Sequence, residues 1–132
     1  MLNSKIEKFL SAEHFAVAGA SANRAKFGNM VLRALLQQKK QVVVIHPAAI
    51  EVEGTPTYKS LSEVGHPVES LSIITPPDVT ERIVAEAVAK GIKSIWMQPG
   101  AESDVAIRMA ESHGIEVIAG GPCLLVAVGF QH

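Results

Sequence analysis

The chain has 132 residues, the size of a single domain with a sizeable hydrophobic core. Hydrophobic residues make up 48% of the chain and charged residues 19%, a balance typical of a globular protein, which excludes a disordered one. The 12 basic residues nearly cancel the 13 acidic ones, so a broad basic surface for nucleic acid or anionic lipid is excluded and an anion would need a local site.

The first half of the chain predicts two strands and three helices. In order, we expect a short helix around Ser4–Ser11, a strand at Phe15–Ala18, a helix beginning near Phe27, a strand at Gln41–His46 and a short helix around Ser60–Val64. The helix near Phe27 is the clearest of these, because its apolar residues follow the i, i+3, i+4, i+7, i+8 pattern of one helix face.

The second half repeats the same alternation. Strands are predicted at Leu71–Thr75, Ser94–Met97 and Glu116–Ala119, and helical patterns in PDVTERIVAEAVAKG and AESDVAIRMAESHG lie between them. In the first of these helices Asp78 is placed to be the N-cap, with Glu81 completing a capping box three residues later. Gly91 and Gly114 are natural helix stops.

These strands are short, mostly rich in Val or Ile, and lack polar alternation, as expected of strands covered on both faces. Strands separated by helices require right-handed crossovers and a parallel sheet. We therefore predict one α/β domain over residues 1–132, a doubly wound, mainly parallel five-stranded sheet with helices on both faces, which is a Rossmann-like architecture.

A ligand of such a sheet binds beyond the carboxyl ends of the strands. The most informative connection is GASANRAKFG, Gly19–Gly28, which follows the first strand and opens a helix whose N-terminal amides form an anion site. Ser21, Asn23, Arg24 and Lys26 add hydroxyl, amide and cationic donors to it. Phosphate binding is the favoured interpretation, and a simple strand-to-helix turn is the alternative.

The loop does not match the usual nucleotide motifs. The dinucleotide fingerprint G-x-G-x-x-G and the P-loop G-x-x-x-x-G-K-[ST] are both absent, since only Gly19 and Gly28 are present and they lie nine positions apart. The second strand ends in His46, where an NAD site normally has an acidic residue for the ribose. Either the ribose carries a phosphate, or the ligand lies differently from NAD.

We find no constellation that predicts catalysis or a metal site. The five histidines (His14, His46, His66, His113 and His132) are scattered without metal-ligand spacing, and Ser21 lacks a recognisable His–Asp partnership. The single cysteine, Cys123, excludes an internal disulfide, and no apolar run reaches the roughly 20 residues that span a bilayer. We expect a soluble cytoplasmic protein that is not an enzyme and binds neither nucleic acid nor membrane.

Five segments in order resemble a known family. They are VAGAS followed by a long polar loop, VVVIHP closing the second strand, TPP after the third, KSIWMQPG at the fourth, and Pro122-Cys123 after the fifth. Together, over residues 13–126, they are similar to the small stand-alone CoA-binding proteins, whose fold is like the CoA-binding domain of the succinyl-CoA synthetase α subunit. The chain departs from the usual pattern at His46-Pro47, where the family has Asn-Pro, and at Gly120-Gly121-Pro122-Cys123.

This resemblance implies a CoA or acyl-CoA ligand along the carboxyl edge of the sheet. The phosphates would lie on the first loop, the adenosine at the second strand, and the pantetheine would run past the third strand toward the fourth. The implied binding residues are Gly19, Ala20, Ser21, Asn23, Arg24, Lys26, Phe27, Gly28, His46, Pro47, Thr75, Pro76, Pro77, Gln98, Pro99 and Gly100. Two alternatives stay open, an NAD(P)-binding redox-sensing module and a protein-interaction module without ligand. A protein partner or self-association is also left open.

Overall fold

The computed structural model describes residues 2–48 and 50–130. Within these residues, six strands alternate with helices: β1 His14–Ala18, β2 Gln41–Ile45, β3 Thr57–Tyr58, β4 Ser70–Ile73, β5 Ser94–Met97 and β6 Glu116–Ile118. The helices are α1 Leu2–Ser11, α2 Phe27–Gln37, α3 Pro77–Lys90, α4 Asp104–Ser112 and α5 Leu124–Ala127, with a 3-10 turn at Leu61–Glu63. None of the described helices combines the length and the apolar character needed to cross a membrane.

The strands form one sheet in the order β3-β2-β1-β4-β5-β6, and every paired neighbour is parallel. This is the strand order of the Rossmann-type doubly wound sheet, and the predicted fold class is confirmed. The chain reverses its direction of travel across the sheet between β1 and β4, so the crevice at their carboxyl ends is the expected ligand position.

Apolar residues cover both faces of the sheet in alternation. On β4, Leu71 and Ile73 face a core formed with α3, α4 and the 3-10 turn, whereas Phe15 and Val17 of β1 face the core formed with α1, α2 and α5. Burial on both faces explains why these strands read as continuous apolar runs rather than alternating patterns. Trp96 is fully buried in the second core, with its ring edge-on to Phe9.

The prediction of five strands was one short. β3 has only two residues, and it was missed because it carries no apolar run. Two main-chain hydrogen bonds hold it as an edge strand, from Val44 N to the Pro56 carbonyl oxygen and from His46 N to the Tyr58 carbonyl oxygen. The remaining strands lie where they were predicted, apart from shifts of one or two residues at their ends.

The helix ends follow their predicted chemistry in part. Gly91 adopts the left-handed conformation (φ +84°) after α3, and its N–H donates to the carbonyl oxygens of Ala87 and Val88, which closes the helix as expected. The predicted capping box is wrong, because α3 begins two residues earlier than expected, at Pro77, and Pro76 rather than Asp78 is its N-cap. Asp78 thus lies inside the first turn, and Glu81 instead accepts a hydrogen bond from Ser103 Oγ at 2.6 Å.

Candidate functional site

Two glycines let the first strand turn sharply into the helix that follows. Gly19 has φ +97°, and a Cβ there would lie 2.3 Å from the carbonyl oxygen of Ile74. A Cβ on Gly28 would lie 2.4 Å from the carbonyl oxygen of Gly19, so strand exit and helix start pack main chain against main chain. Gly28 therefore has the packing role of the third glycine in a dinucleotide fingerprint, with a longer loop between the two glycines.

Side chains of the loop hold its own backbone. Ser21 Oγ accepts the Asn23 N–H at 3.0 Å, and Asn23 Oδ1 accepts the Ala25 N–H at 2.9 Å. These are short-range turns of the kind that Ser and Asn make in loops. Among the described residues, no side chain caps the first turn of α2, so its first amides have no side-chain acceptor.

A network of charged and polar side chains joins the Gly19–Gly28 loop to Glu53 in the connection between β2 and β3. Arg24 Nη1 lies 2.6 Å from Glu53 Oε1, and Asn29 Nδ2 donates both to Glu53 Oε2 at 3.1 Å and to the Ser21 carbonyl oxygen at 2.8 Å. Arg33 completes the network by donating to Asn29 Oδ1 and to the Arg24 carbonyl oxygen. Arg24 is thus already paired, a contact that sequence reasoning missed.

Lys26 stands apart from this network. It is exposed at the N-cap position of α2, and within the described part of the chain it forms no ion pair. Phe27, the next predicted residue, is half-buried and packs against the core beneath α2. Of the two loop cations, Lys26 is therefore the one available to a phosphate without breaking an existing pair.

A cleft with a volume of about 540 Å³ opens between the loop, the end of β2 and α3. This size falls in the range of small-molecule sites. Six of the predicted residues line it together: Gly19, Ala20, Ser21, His46, Pro47 and Thr75. His46 Nδ1 accepts the Ala48 N–H at 3.1 Å, so a neutral imidazole carries its proton on Nε2.

Several lining residues of the cleft were not predicted. Four of them are apolar and three are charged: Ile45, Ile50, Val79, Ile83, Lys59, Arg82 and Glu86. α3 contributes four of the seven. In the sequence this segment has the pattern of an ordinary amphipathic helix, with no sign of a binding role. The only available signal was the topology, because the helix after β4 must pass beside the switch point.

A second groove continues from the cleft past the ends of β4 and β5. Its volume is about 300 Å³, and it contains Thr75, Pro76, Pro99 and Gly100 of the predicted set, with Ile74 and Ala101. Thr75 belongs to both cavities, which makes them neighbours along one edge of the sheet. Pro77 is exposed at the start of α3 and lines neither.

The side chain of Gln98 is turned away from this groove. It is fully buried, its Nε2 donates to Ser72 Oγ at 3.2 Å, and its Oε1 accepts the Leu124 N–H at 3.0 Å. The amide thereby joins β5 to β4 and to the start of α5. Only the main chain of Gln98 is left to face a ligand, and its side chain has a structural role.

The remaining reactive side chains do not converge on the cleft. Cys123 is half-buried at the N-cap of α5. His14 and His66 lie close together, with ring centroids 5.2 Å apart, at the amino edge of the sheet. Within residues 2–48 and 50–130 no three potential ligands come together for a metal ion, and His132 lies outside the described residues.

Comparison with known proteins places this site in context. Acetate--CoA ligase [ADP-forming] I of Archaeoglobus fulgidus is 23% identical over 129 residues, which are 90% of this chain and 19% of the ligase. The chain thus spans about a fifth of the length of this curated relative.

Solved structures agree in fold. A conserved hypothetical protein from Pyrococcus furiosus superposes with a TM-score of 0.80 at 37% identity, over 88% of this chain and 99% of that one. The dinucleotide-forming acetyl-coenzyme A synthetase 1 of Ca. Korarchaeum cryptofilum, in complex with phosphate and ADP, gives a TM-score of 0.76 at 28% identity, over 86% of this chain and 27% of the synthetase. The sequence profile of the CoA binding domain matches residues 13–129, and the chain belongs to that family.

Proposed function

We propose that this protein binds CoA or an acyl-CoA along the carboxyl edge of its parallel sheet. The observation that carries the proposal is the cleft of about 540 Å³ that meets the Gly19–Gly28 loop at the switch point between β1 and β4. Membership of the CoA binding domain family supports the same ligand.

The loop and the first turn of α2 are suited to the pyrophosphate. Backbone amides at a helix N-terminus bind anions through hydrogen bonds and the helix dipole. Lys26 supplies a cation beside them, and Gly19 and Gly28 allow the strand exit and the start of α2 to pack closely, which fixes the position of these amides. The long loop, rather than three closely spaced glycines, distinguishes this arrangement from an NAD site.

The cleft and the groove suit the two ends of CoA. Apolar side chains on the walls of the cleft suit the faces of a purine, and His46 Nε2 can donate to the ribose or its phosphate. The shallow groove that contains Pro76, Pro99 and Gly100 suits a thin pantetheine arm. This assignment keeps adenosine at the second strand and pantetheine between the third and the fourth.

We also propose that the chain has no catalytic site of its own. Ser21 and His46 line the same cleft, but the His46 Nδ1 position that a triad carboxylate would occupy accepts the Ala48 N–H instead. The similar protein from Pyrococcus furiosus matches this chain over 99% of its own length, so a stand-alone domain of this size has a precedent. Hydrolysis of acetyl-CoA by the purified protein, abolished in Ser21→Ala, would overturn this part of the proposal.

Isothermal titration calorimetry with CoA, NAD, NADP, ATP and FAD tests the binding proposal. We expect CoA to bind most tightly, and at a hundred times Kd it should add about 2.7 kcal/mol of apparent stability. A clear preference for NAD without a response to CoA would contradict the proposal and favour the redox-sensing alternative. Failure of all five ligands to bind would favour the interaction module.

A further inference from the structure

Two cations, Lys59 and Arg82, line the cleft in addition to Gly19, Ala20 and Ser21 of the Gly19–Gly28 loop. Lys59 follows β3 directly, and Arg82 lies in the second turn of α3. Both side chains are exposed, and within the described residues neither has an ion-pair partner. Arg24 of the loop differs from them, because Glu53 already holds it at 2.6 Å.

The fold keeps these two cations near each other. Glu86, one helical turn beyond Arg82 on the same face of α3, accepts the Leu61 N–H at 2.9 Å through its Oε1. That bond ties the segment just after Lys59 to α3. It also directs the carboxylate of Glu86 toward a backbone amide, so the acidic residue of the cleft has a hydrogen-bond partner other than the two cations.

The remaining residues that line the cleft indicate what kind of anion Lys59 and Arg82 would bind. Ile50, Val79 and Ile83 are apolar, so the charge of a ligand would be concentrated where the cations lie, with an apolar group beside it. Position 46, where an acidic residue would repel a phosphorylated ribose, is a histidine. A nucleoside carrying a phosphomonoester on its ribose has this combination of a flat apolar base and a dianion.

We infer that Lys59 and Arg82 form the subsite for the ribose phosphomonoester, the 3′-phosphate of CoA, and determine the preference for CoA over dephospho-CoA. The inference rests on the proposed function, because it assumes that the adenosine of CoA occupies this cleft. Arginine supplies a planar fork and lysine a point charge, a pair of donors suited to a terminal phosphate.

Calorimetry with CoA and dephospho-CoA on the wild type, Lys59→Gln and Arg82→Gln tests the inference. Hydrogen bonds to charged groups predict that each substitution weakens CoA binding by about tenfold or more and leaves dephospho-CoA within about twofold. The wild type should favour CoA over dephospho-CoA by at least about tenfold, and the double variant should bind the two alike. Arg108→Gln, an exposed arginine on α4, is the matched control and should change neither affinity.

The outcomes separate the inference from the proposed function. Equal affinity of the wild type for the two ligands, or equal losses of both in the variants, overturns the inference while CoA binding itself stands. Binding of neither ligand contradicts the proposed function. NADP binding more tightly than CoA, with the same loss in Arg82→Gln, would reassign the subsite to a 2′-phosphate and overturn the inference as stated.

Discussion

Gly28→Ala tests the close packing on which the conformation of the Gly19–Gly28 loop depends. In an exposed helix this change stabilises a protein by about 0.5–1 kcal/mol, because alanine is the better helix former. Here the added Cβ would lie 2.4 Å from the Gly19 carbonyl oxygen and 3.1 Å from the Ala20 Cα, both main-chain atoms that cannot rotate away. Overpacking of this kind costs about 1–3 kcal/mol, so the clash should outweigh the gain.

We expect Gly28→Ala to lower the free energy of unfolding by about 1–2 kcal/mol net. For a chain of this size that is roughly 4–8 °C in Tm, measurable by differential scanning calorimetry. Gly65→Ala is the matched control, since a Cβ there meets nothing within 4 Å and its backbone is not in the left-handed region. Because the two effects have opposite signs, a Tm equal to or above that of the wild type would refute the reasoning about the loop.

Three further predictions concern single side chains. Glu53→Gln should tighten CoA binding about two- to fivefold in calorimetry, because it releases Arg24 from its ion pair and keeps a side-chain oxygen that accepts from Asn29. Weaker binding would mean that the Arg24–Glu53 pair is needed to shape the loop. Lys26→Ala should weaken CoA about tenfold and leave a pantetheine fragment unaffected, and equal losses for both would show that the lysine has a packing role. Gln98→Leu should lower the free energy of unfolding by about 2 kcal/mol in urea denaturation, because the buried Leu124 N–H loses its acceptor; a loss as small as that of the exposed Gln37→Leu control would contradict the role of this amide.

Much of the fold could be predicted because local patterns and global architecture agree. The 3.6-residue period and the continuous apolar runs predicted α1 to α4 and five of the six strands, and their alternation indicated the doubly wound parallel sheet, whereas the four-residue helix α5 was not predicted. β3 could not be found in this way, because two half-buried residues, Thr57 and Tyr58, carry no pattern. Its position depends on main-chain pairing with β2, a tertiary contact that the local sequence does not encode.

The candidate site could likewise be predicted only in part from the sequence. Residues within two positions of a strand end, such as Gly19, His46 and Thr75, could be placed at the carboxyl edge from topology alone, and the structure brings them to one cleft. Whether Arg24 is paired depends on Glu53, a residue 29 positions away, and no local pattern encodes that contact. From the sequence alone, Arg82 cannot be distinguished from a solvent-exposed arginine on an amphipathic helix. It lines the cleft because the connection from β4 to β5 brings α3 beside the switch point.

Native mass spectrometry of the protein with equimolar CoA and NAD together tests the central claim most directly, since both ligands then compete for the same crevice. We predict a 1:1 non-covalent complex with CoA that is lost on denaturation, and that is reduced in Lys26→Ala. A complex with NAD in preference to CoA, or free protein alone in the presence of both, would contradict the account.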